Sequence, residues 1–125
     1  MISGGNATVF VSNMDNAVHF YTEVLGLRLA ERYGDHWATV DAGRGFTIGL
    51  HPASPKYPPP GTKGGMVLGL EVTQPMEAVL EQLKAKGVRF KGDITRDQGG
   101  TFANLEDPDG NPMYLWQTAS VPAHS

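Results

Sequence analysis

Two side chains in this sequence stand where chemistry is most readily done. His51 closes the apolar run Phe46-Thr47-Ile48-Gly49-Leu50, and strand alternation puts it on the same face as Gly49. An imidazole there works as a general base only with an orienting partner and a substrate proton in reach. It serves equally well as a hydrogen-bond partner for a ligand, or as a structural group at the strand rim. Glu71 lies near the end of a second apolar run, Met66 to Val72. Its carboxylate suits a cationic ligand group or His51, and a solvated strand end is the plain alternative. The other histidines carry less: His19 falls on the exposed side of a helix, His36 sits in a turn beside Trp37 with a ligand contact as its functional reading, and His124 lies in the polar tail. Asp107 and Asp109 offer two carboxylates, but the later ligands of a calcium loop are missing. Turn chemistry accounts for them: Pro108 presets one backbone angle, Asp109 bonds its own backbone, and Gly110 accepts positive φ. There is no Ser-His-Asp context and no phosphate-cradling glycine loop, and Gly4-Gly5 and Gly99-Gly100 read as turns. No catalytic residue is assigned.

The elements that must position these groups follow from periodicity. Ala7 to Val11 alternates as a strand. Ser12 or Asn13 can cap the helix that follows, whose apolar stripe is Ala17, Val18, Phe20, Tyr21, Val24 and Leu25, with Gly26 as its stop. Leu27–Glu31, Trp37–Asp41 and Phe46–His51 read as strands separated by Gly34-Asp35 and Ala42-Gly43. The segment from His51 to Gly61 contains Pro52, Pro55, Pro58, Pro59 and Pro60, which resist both a helix and a central strand. It is expected to be an extended connector; a peptide motif for a proline-recognising partner is the other reading. The pattern then restarts: a strand over Met66–Val72, a helix over Pro75–Lys86 with Met76, Val79, Leu80 and Leu83 on its apolar side, a stop at Gly87, and strands over Val88–Phe90, Thr101–Leu105 and Pro112–Trp116. The tail after Gln117 is expected to be poorly ordered.

The two halves align at one constant offset, Val11 with Val72, Ala17 with Ala78, Val18 with Val79, Gly26 with Gly87 and Arg28 with Arg89, which points to a duplicated β-α-β-β-β module. Strand phase then sorts the side chains. Ala7, Val9, Val11, Ile48, Leu50, Leu68, Leu70, Met113 and Leu115 form an apolar, helix-facing set. Asn6, Thr8, Phe10, Thr47, Gly49, His51, Val67, Gly69, Glu71, Tyr114 and Trp116 form the opposite set, with Trp37 and Phe102 joining from neighbouring strands. That mixture of aromatic, small and polar groups suits an organic-ligand pocket. A core face with a few satisfied polar groups has the same composition.

Composition narrows the classes. With 125 residues the chain is long enough for a real core. Its 10 basic and 13 acidic residues give a net charge of -3, without the basic footprint of nucleic-acid binding. Cysteine is absent, which excludes disulfides and thiolate metal sites and agrees with a cytoplasmic location. The start carries no signal-peptide pattern. No run approaches the roughly 20 apolar residues of a membrane helix.

The opening Phe10-Val11-Ser12-Asn13-Met14-Asp15-Asn16-Ala17-Val18-His19-Phe20-Tyr21-Thr22-Glu23-Val24-Leu25-Gly26-Leu27 and the closing Leu105-Glu106-Asp107-Pro108-Asp109-Gly110-Asn111-Pro112-Met113-Tyr114-Leu115 resemble the vicinal oxygen chelate superfamily of glyoxalases, bleomycin-resistance proteins and extradiol dioxygenases. The resemblance covers roughly residues 6 to 117. It implies an α+β fold of two βαβββ modules, about 6–51 and 65–117 with the connector 52–64 between them, whose curved mixed sheets enclose a cavity in a single domain. It also implies a homodimer. Metal-dependent members take four histidine or glutamate ligands from matching strand positions. Here those positions hold Asn6, Gly49, Val67 and Tyr114, with His51 and Glu71 as the substitutes that strand phase allows. The quartet therefore argues against a metal and against the usual enzyme chemistry. The resulting expectation is cofactor-free, non-catalytic binding or sequestration of an aromatic or flat organic molecule, as in antibiotic-resistance proteins. The expected ligand residues are Asn6, Phe10, Trp37, His51, Glu71, Phe102, Tyr114 and Trp116, with Gly49 leaving room beside them. The competing expectation is a metal-dependent lyase or dioxygenase with unusual ligands.

Overall fold

Each half of the sequence folds into its own four-stranded sheet. The computed structural model describes residues 6–61, 67–97 and 100–118. In chain order the elements are β1 (Asn6–Val11), α1 (Met14–His19), β2 (Arg28–Tyr33), β3 (Trp37–Asp41), β4 (Thr47–Pro52), β5 (Leu68–Glu71), α2 (Met76–Ala85), β6 (Phe90–Asp97), β7 (Gly100–Glu106) and β8 (Pro112–Thr118). The first sheet runs β1-β4-β3-β2 and the second β5-β8-β7-β6. In both, the first and last strands of the module pair in parallel and the other pairs are antiparallel. The fold is thus α+β, with two βαβββ modules forming mixed sheets. The chain divides into two compact units, Met1–Thr62 with Pro108–Asn111, and Lys63–Asp107 with Pro112–Ser125.

In the first unit, Val9, Val11, Ala38, Val40, Ile48 and Leu50 are buried on one sheet face, and α1 packs on β4 with Met14, Ala17 and Val18. Asn13 is the helix cap: its side-chain oxygen accepts from Asn16 N at 2.8 Å. Ser12 is used elsewhere, donating its backbone N–H to Asp109 Oδ2 at 3.0 Å and its hydroxyl to Asp109 Oδ1. Asp109 therefore holds Ser12, where the sequence suggested a bond to its own backbone. The helix expected to run unbroken to Gly26 changes pitch. Residues Phe20–Val24 form a π-helical turn in which Leu25 N bonds Phe20 O at 2.9 Å. Thr22 Oγ1 donates to Val18 O at 2.6 Å, competing for a carbonyl that an α-helix would give to a backbone N–H. Gly26 ends the segment at φ 82°, and Gly87 ends α2 at φ 91°, the left-handed geometry that helix stops favour.

In the second unit, Leu70, Ala103, Leu105, Met113 and Leu115 are buried on one sheet face, with Met76, Leu80 and Leu83 buried on α2. Pro75 precedes α2 and offers no side-chain cap. Gln117, only 4% exposed, supplies the missing acceptor from β8, taking the Met76 N–H at 2.6 Å. The strand expected over Val88–Phe90 is instead Phe90–Asp97, nearly all of it exposed. The two expected helix-facing residues nearest the strand starts, Ala7 and Leu68, are only half-buried. Met66, the Gly4-Gly5 pair, Gly99 and His124 lie outside the described residues.

Among the ion pairs, Arg28 meets Asp41 at 2.8 Å across β2 and β3. The Gly43 amide, and then the Arg28 guanidinium, hold the Asp41 carboxyl below its ordinary value. A lowered folded value means stability that is present above the ordinary carboxylate range and lost as pH falls through the lowered one. Asp41→Asn is therefore expected to remove a small stabilisation seen at neutral pH and not in acid, read from urea midpoints at the two pH values.

Candidate functional site

The face of each sheet opposite its helix carries the residues singled out for ligand binding. In the first unit, strand register sets four rings in a row, one per strand. Phe10 of β1 pairs with His51 of β4, Trp37 of β3 lies beside His51 with ring centroids 6.2 Å apart, and Tyr33 of β2 pairs with Trp37. Four strands about 4.8 Å apart make this row roughly 14 Å wide. Phe10, Trp37 and His51 are half-buried, while Tyr33 is 58% exposed. The Tyr33 hydroxyl donates to Glu31 Oε2 at 3.0 Å, and this bond is the main cause that pushes its phenol above the ordinary value. Tyr33 thus keeps its proton at neutral pH and remains a neutral ring.

A fifth ring arrives from the proline-rich connector. Tyr57 stacks on Phe10 with centroids 4.6 Å apart and planes 19° apart. His51 meets both edge-on, at 5.6 Å from Phe10 and 5.2 Å from Tyr57. His51 Nδ1 lies 2.8 Å from Pro52 O. A carbonyl only accepts, so Nδ1 carries the proton in this bond and Nε2 of the neutral ring is an acceptor. His51 can hold a ligand N–H or O–H. The orienting carboxylate of a catalytic base is replaced here by a backbone carbonyl.

Gly49 does not leave the room that the sequence suggested. A Cβ there would come within 2.8 Å of Trp37 Cζ2, because the six-membered ring of the indole lies against the glycine. Gly49 is the seat of Trp37. Gly49→Ala is expected to lift the indole, red-shift Trp37 emission through added water contact, and lower stability by about 1–3 kcal/mol. Fluorescence and urea denaturation of the variant check both.

In the second unit the corresponding row is Glu71, Trp116, Phe102 and Thr95, again one per strand. Phe102 and Tyr114 lie 6.2 Å apart, and the Tyr114 ring covers Gly69 as Trp37 covers Gly49, with its Cε2 at 2.8 Å from a Cβ placed there. Trp116, Phe102 and Tyr114 are half-buried and Glu71 is exposed. Of the eight expected ligand residues, the first unit brings together Phe10, Trp37 and His51. The second brings together Phe102, Tyr114, Trp116 and Glu71. Asn6 stands at the exposed start of β1, accepting from the Thr8 hydroxyl at 3.3 Å. His19 and His36 are exposed. Tyr33 and Tyr57 were missed. Tyr33 lies past the expected end of its strand, and Tyr57 lies in a segment with no period to read.

The positions that hold a metal in related enzymes do not fit one here. Asn6 is engaged with Thr8, Gly49 lies under an indole, Val67 offers no donor, and Tyr114 lies over Gly69. Among the described residues, no three His, Cys, Asp or Glu side chains are grouped to hold a metal ion. Likewise, no described helix is long and apolar enough to cross a membrane.

Duplicated βαβββ modules with an aromatic face define a known class. Residues 5–114 match the model of the Glyoxalase/Bleomycin resistance protein/Dioxygenase superfamily, and the chain belongs to it. TnmS3, an antibiotic binding protein from Streptomyces sp. CB03234, is 30% identical, with 95% of this chain and 98% of that one covered at a TM-score of 0.78. A glyoxalase/bleomycin resistance protein from the same organism is 32% identical over 92% of this chain and 100% of its own, with a TM-score of 0.74. YetH of Bacillus subtilis (strain 168) is 29% identical, covering 89% of this chain and 94% of that protein.

Proposed function

We propose that this protein binds and sequesters a flat or aromatic small organic molecule without transforming it, in the manner of an antibiotic-resistance binder. The observation that carries the reading is the row of rings Phe10, His51, Trp37 and Tyr33 across one sheet face. Such a row offers apolar area and offset stacking to a planar ligand. His51 Nε2 supplies one directional acceptor. In the second unit, Trp116, Phe102 and Tyr114 offer a further aromatic surface, with Glu71 for a cationic or N–H group. Asn6 adds an amide at the β1 end. The similarity to TnmS3 supports the same ligand class, and the absence of a fitting metal-donor set among the described residues favours binding over lyase or dioxygenase chemistry.

The protein is further proposed to act in the cytoplasm as a homodimer, the commonest symmetric assembly. Sedimentation at micromolar concentration showing only a 13.4 kDa species would count against the dimer. The binding reading is tested with two matched panels, fused-ring planar aromatics and flexible aliphatic molecules of equal size, titrated by calorimetry. Saturable binding confined to the planar panel, with the ligand recovered unchanged, is the expected result. Binding of neither panel, or recovery of a converted product, would overturn it.

A further inference from the structure

The proline-rich connector is more than a spacer. Its Tyr57 lies face to face on Phe10 at 4.6 Å, the separation at which a planar ligand would itself stack. The pair therefore leaves no gap for a third ring, and the Phe10 end of the aromatic row is covered by the protein's own side chain. What holds Tyr57 there is modest. The connector is anchored at its ends, by Ala53 N to Val11 O at 2.9 Å and by Gly61 N to Asn111 Oδ1 at 2.8 Å. Asn111 in turn donates to Phe10 O at 3.2 Å, so the far anchor and the ring beneath Tyr57 belong to one framework. Between the anchors, Tyr57 N and Lys56 N both bond back to Ser54, within the connector itself. The Tyr57 side chain meets the sheet through ring contacts with Phe10 and His51 and remains 41% exposed. Pro55 and the run Pro58 to Pro60 restrict the backbone on either side, so the ring's readiest motion is rotation away from Phe10 with the anchors in place.

We propose that Tyr57 is a displaceable ring: a planar aromatic ligand enters by taking its place on Phe10, and the Tyr57 side chain competes with the ligand for that face. This rests on the binding function proposed above and adds the stacking residue and the step that admits the ligand. It selects for ligands with a ring flat enough to replace a phenol on a phenyl face, and against aliphatic ones.

The probe is anilinonaphthalene sulfonate, titrated by fluorescence with stoichiometry from calorimetry, against the full chain and three variants. Tyr57→Ala is expected to bind one probe per chain with affinity about three- to tenfold higher than the unmodified protein, the range of one lost competing stack, and with faster association. Adding Phe10→Ala to Tyr57→Ala should abolish that gain, which separates unmasking of this face from general loosening of the fold. Lys56→Ala, next to Tyr57 and outside the ring cluster, should match the unmodified protein. Weaker binding by Tyr57→Ala would make Tyr57 a fixed wall and overturn the proposal. So would equal binding by Tyr57→Ala, or a gain that survives Phe10→Ala; in either case, binding of a planar molecule elsewhere on the protein stands. Failure of every variant to bind, with Phe10 bared, would overturn the proposal and the binding function together.

Discussion

Trp37→Ala is expected to lower affinity for a planar ligand by about tenfold or more and to leave the protein folded. Trp37 joins the two halves of the ring row, since it faces His51 at 6.2 Å on one side and pairs with Tyr33 on the other. It also fills the seat over Gly49. Its loss breaks a continuous aromatic surface, leaving the pair Phe10 and His51 on one side and Tyr33 alone on the other. Because the indole is half-buried, the stability loss stays below the roughly 3–5 kcal/mol of a fully buried tryptophan. Trp116→Ala is the matching variant of the second unit, where Trp116 stands between Glu71 and Phe102. If it too costs tenfold, the aromatic face of the second unit takes part in binding; if it costs only stability, Trp116 is packing. Ligand titration and urea denaturation on the same preparations separate these outcomes. Unchanged affinity in a folded Trp37→Ala protein would remove the ring row from the site.

Gln117→Leu is expected to destabilise the protein by about 1–3 kcal/mol, the cost of stranding a buried donor. The Met76 N–H is the donor at stake. Met76 is fully buried, Pro75 has no side chain that caps, and Gln117 Oε1 accepts at 2.6 Å. Leucine keeps the volume and removes the acceptor, so the packing is left largely intact while the Met76 N–H loses its partner. Urea midpoints give the measurement, and amide exchange at Met76 locates it. The exchange should accelerate with the first turn of α2 and leave the first unit unchanged. Aromatic binding by the first unit should also survive, since Gln117 lies outside the ring row.

Periodicity carried the fold well because burial imposes it. Val11 and Val72, or Gly26 and Gly87, occupy equivalent places in two modules that bury the same sheet face, so a repeated pattern reads as a repeated structure. It failed where burial is slight. Lys91 to Asp97 is strand, yet Gly92, Asp93 and the exposed residues around them carry no alternation. Long-range bonds were equally invisible. Ser12 had a local role as a helix cap and Asp109 a local role in its turn, and both gave way to each other across the chain. Gln117, the last residue before the polar tail, carries no role in the sequence pattern and is a buried helix cap.

The candidate site was legible in part for the same reason. Strand phase placed Phe10 and His51 on one face, and Tyr114 and Trp116 on the corresponding face of the second sheet; Trp37 and Phe102, named only as neighbours, are joined to them by the folded sheets. Phase says which way a side chain points and nothing of which neighbour it leans on. Trp37 leaning over Gly49, and Tyr114 over Gly69, depend on cross-strand packing between large and small residues. Tyr57 escaped because proline-rich backbone has no face, and only the folded connector brings its ring to Phe10.

Metal-independent binding of an intact planar molecule is the central claim. It is tested most directly by calorimetric titration of chelator-treated protein with a planar aromatic ligand from the panel, repeated after adding back divalent cations, with mass analysis of the ligand afterwards. The expected result is one affinity and one stoichiometry with and without metal, and a ligand of unchanged mass. Binding that appears only when metal is restored, or a ligand whose mass has changed, would contradict it.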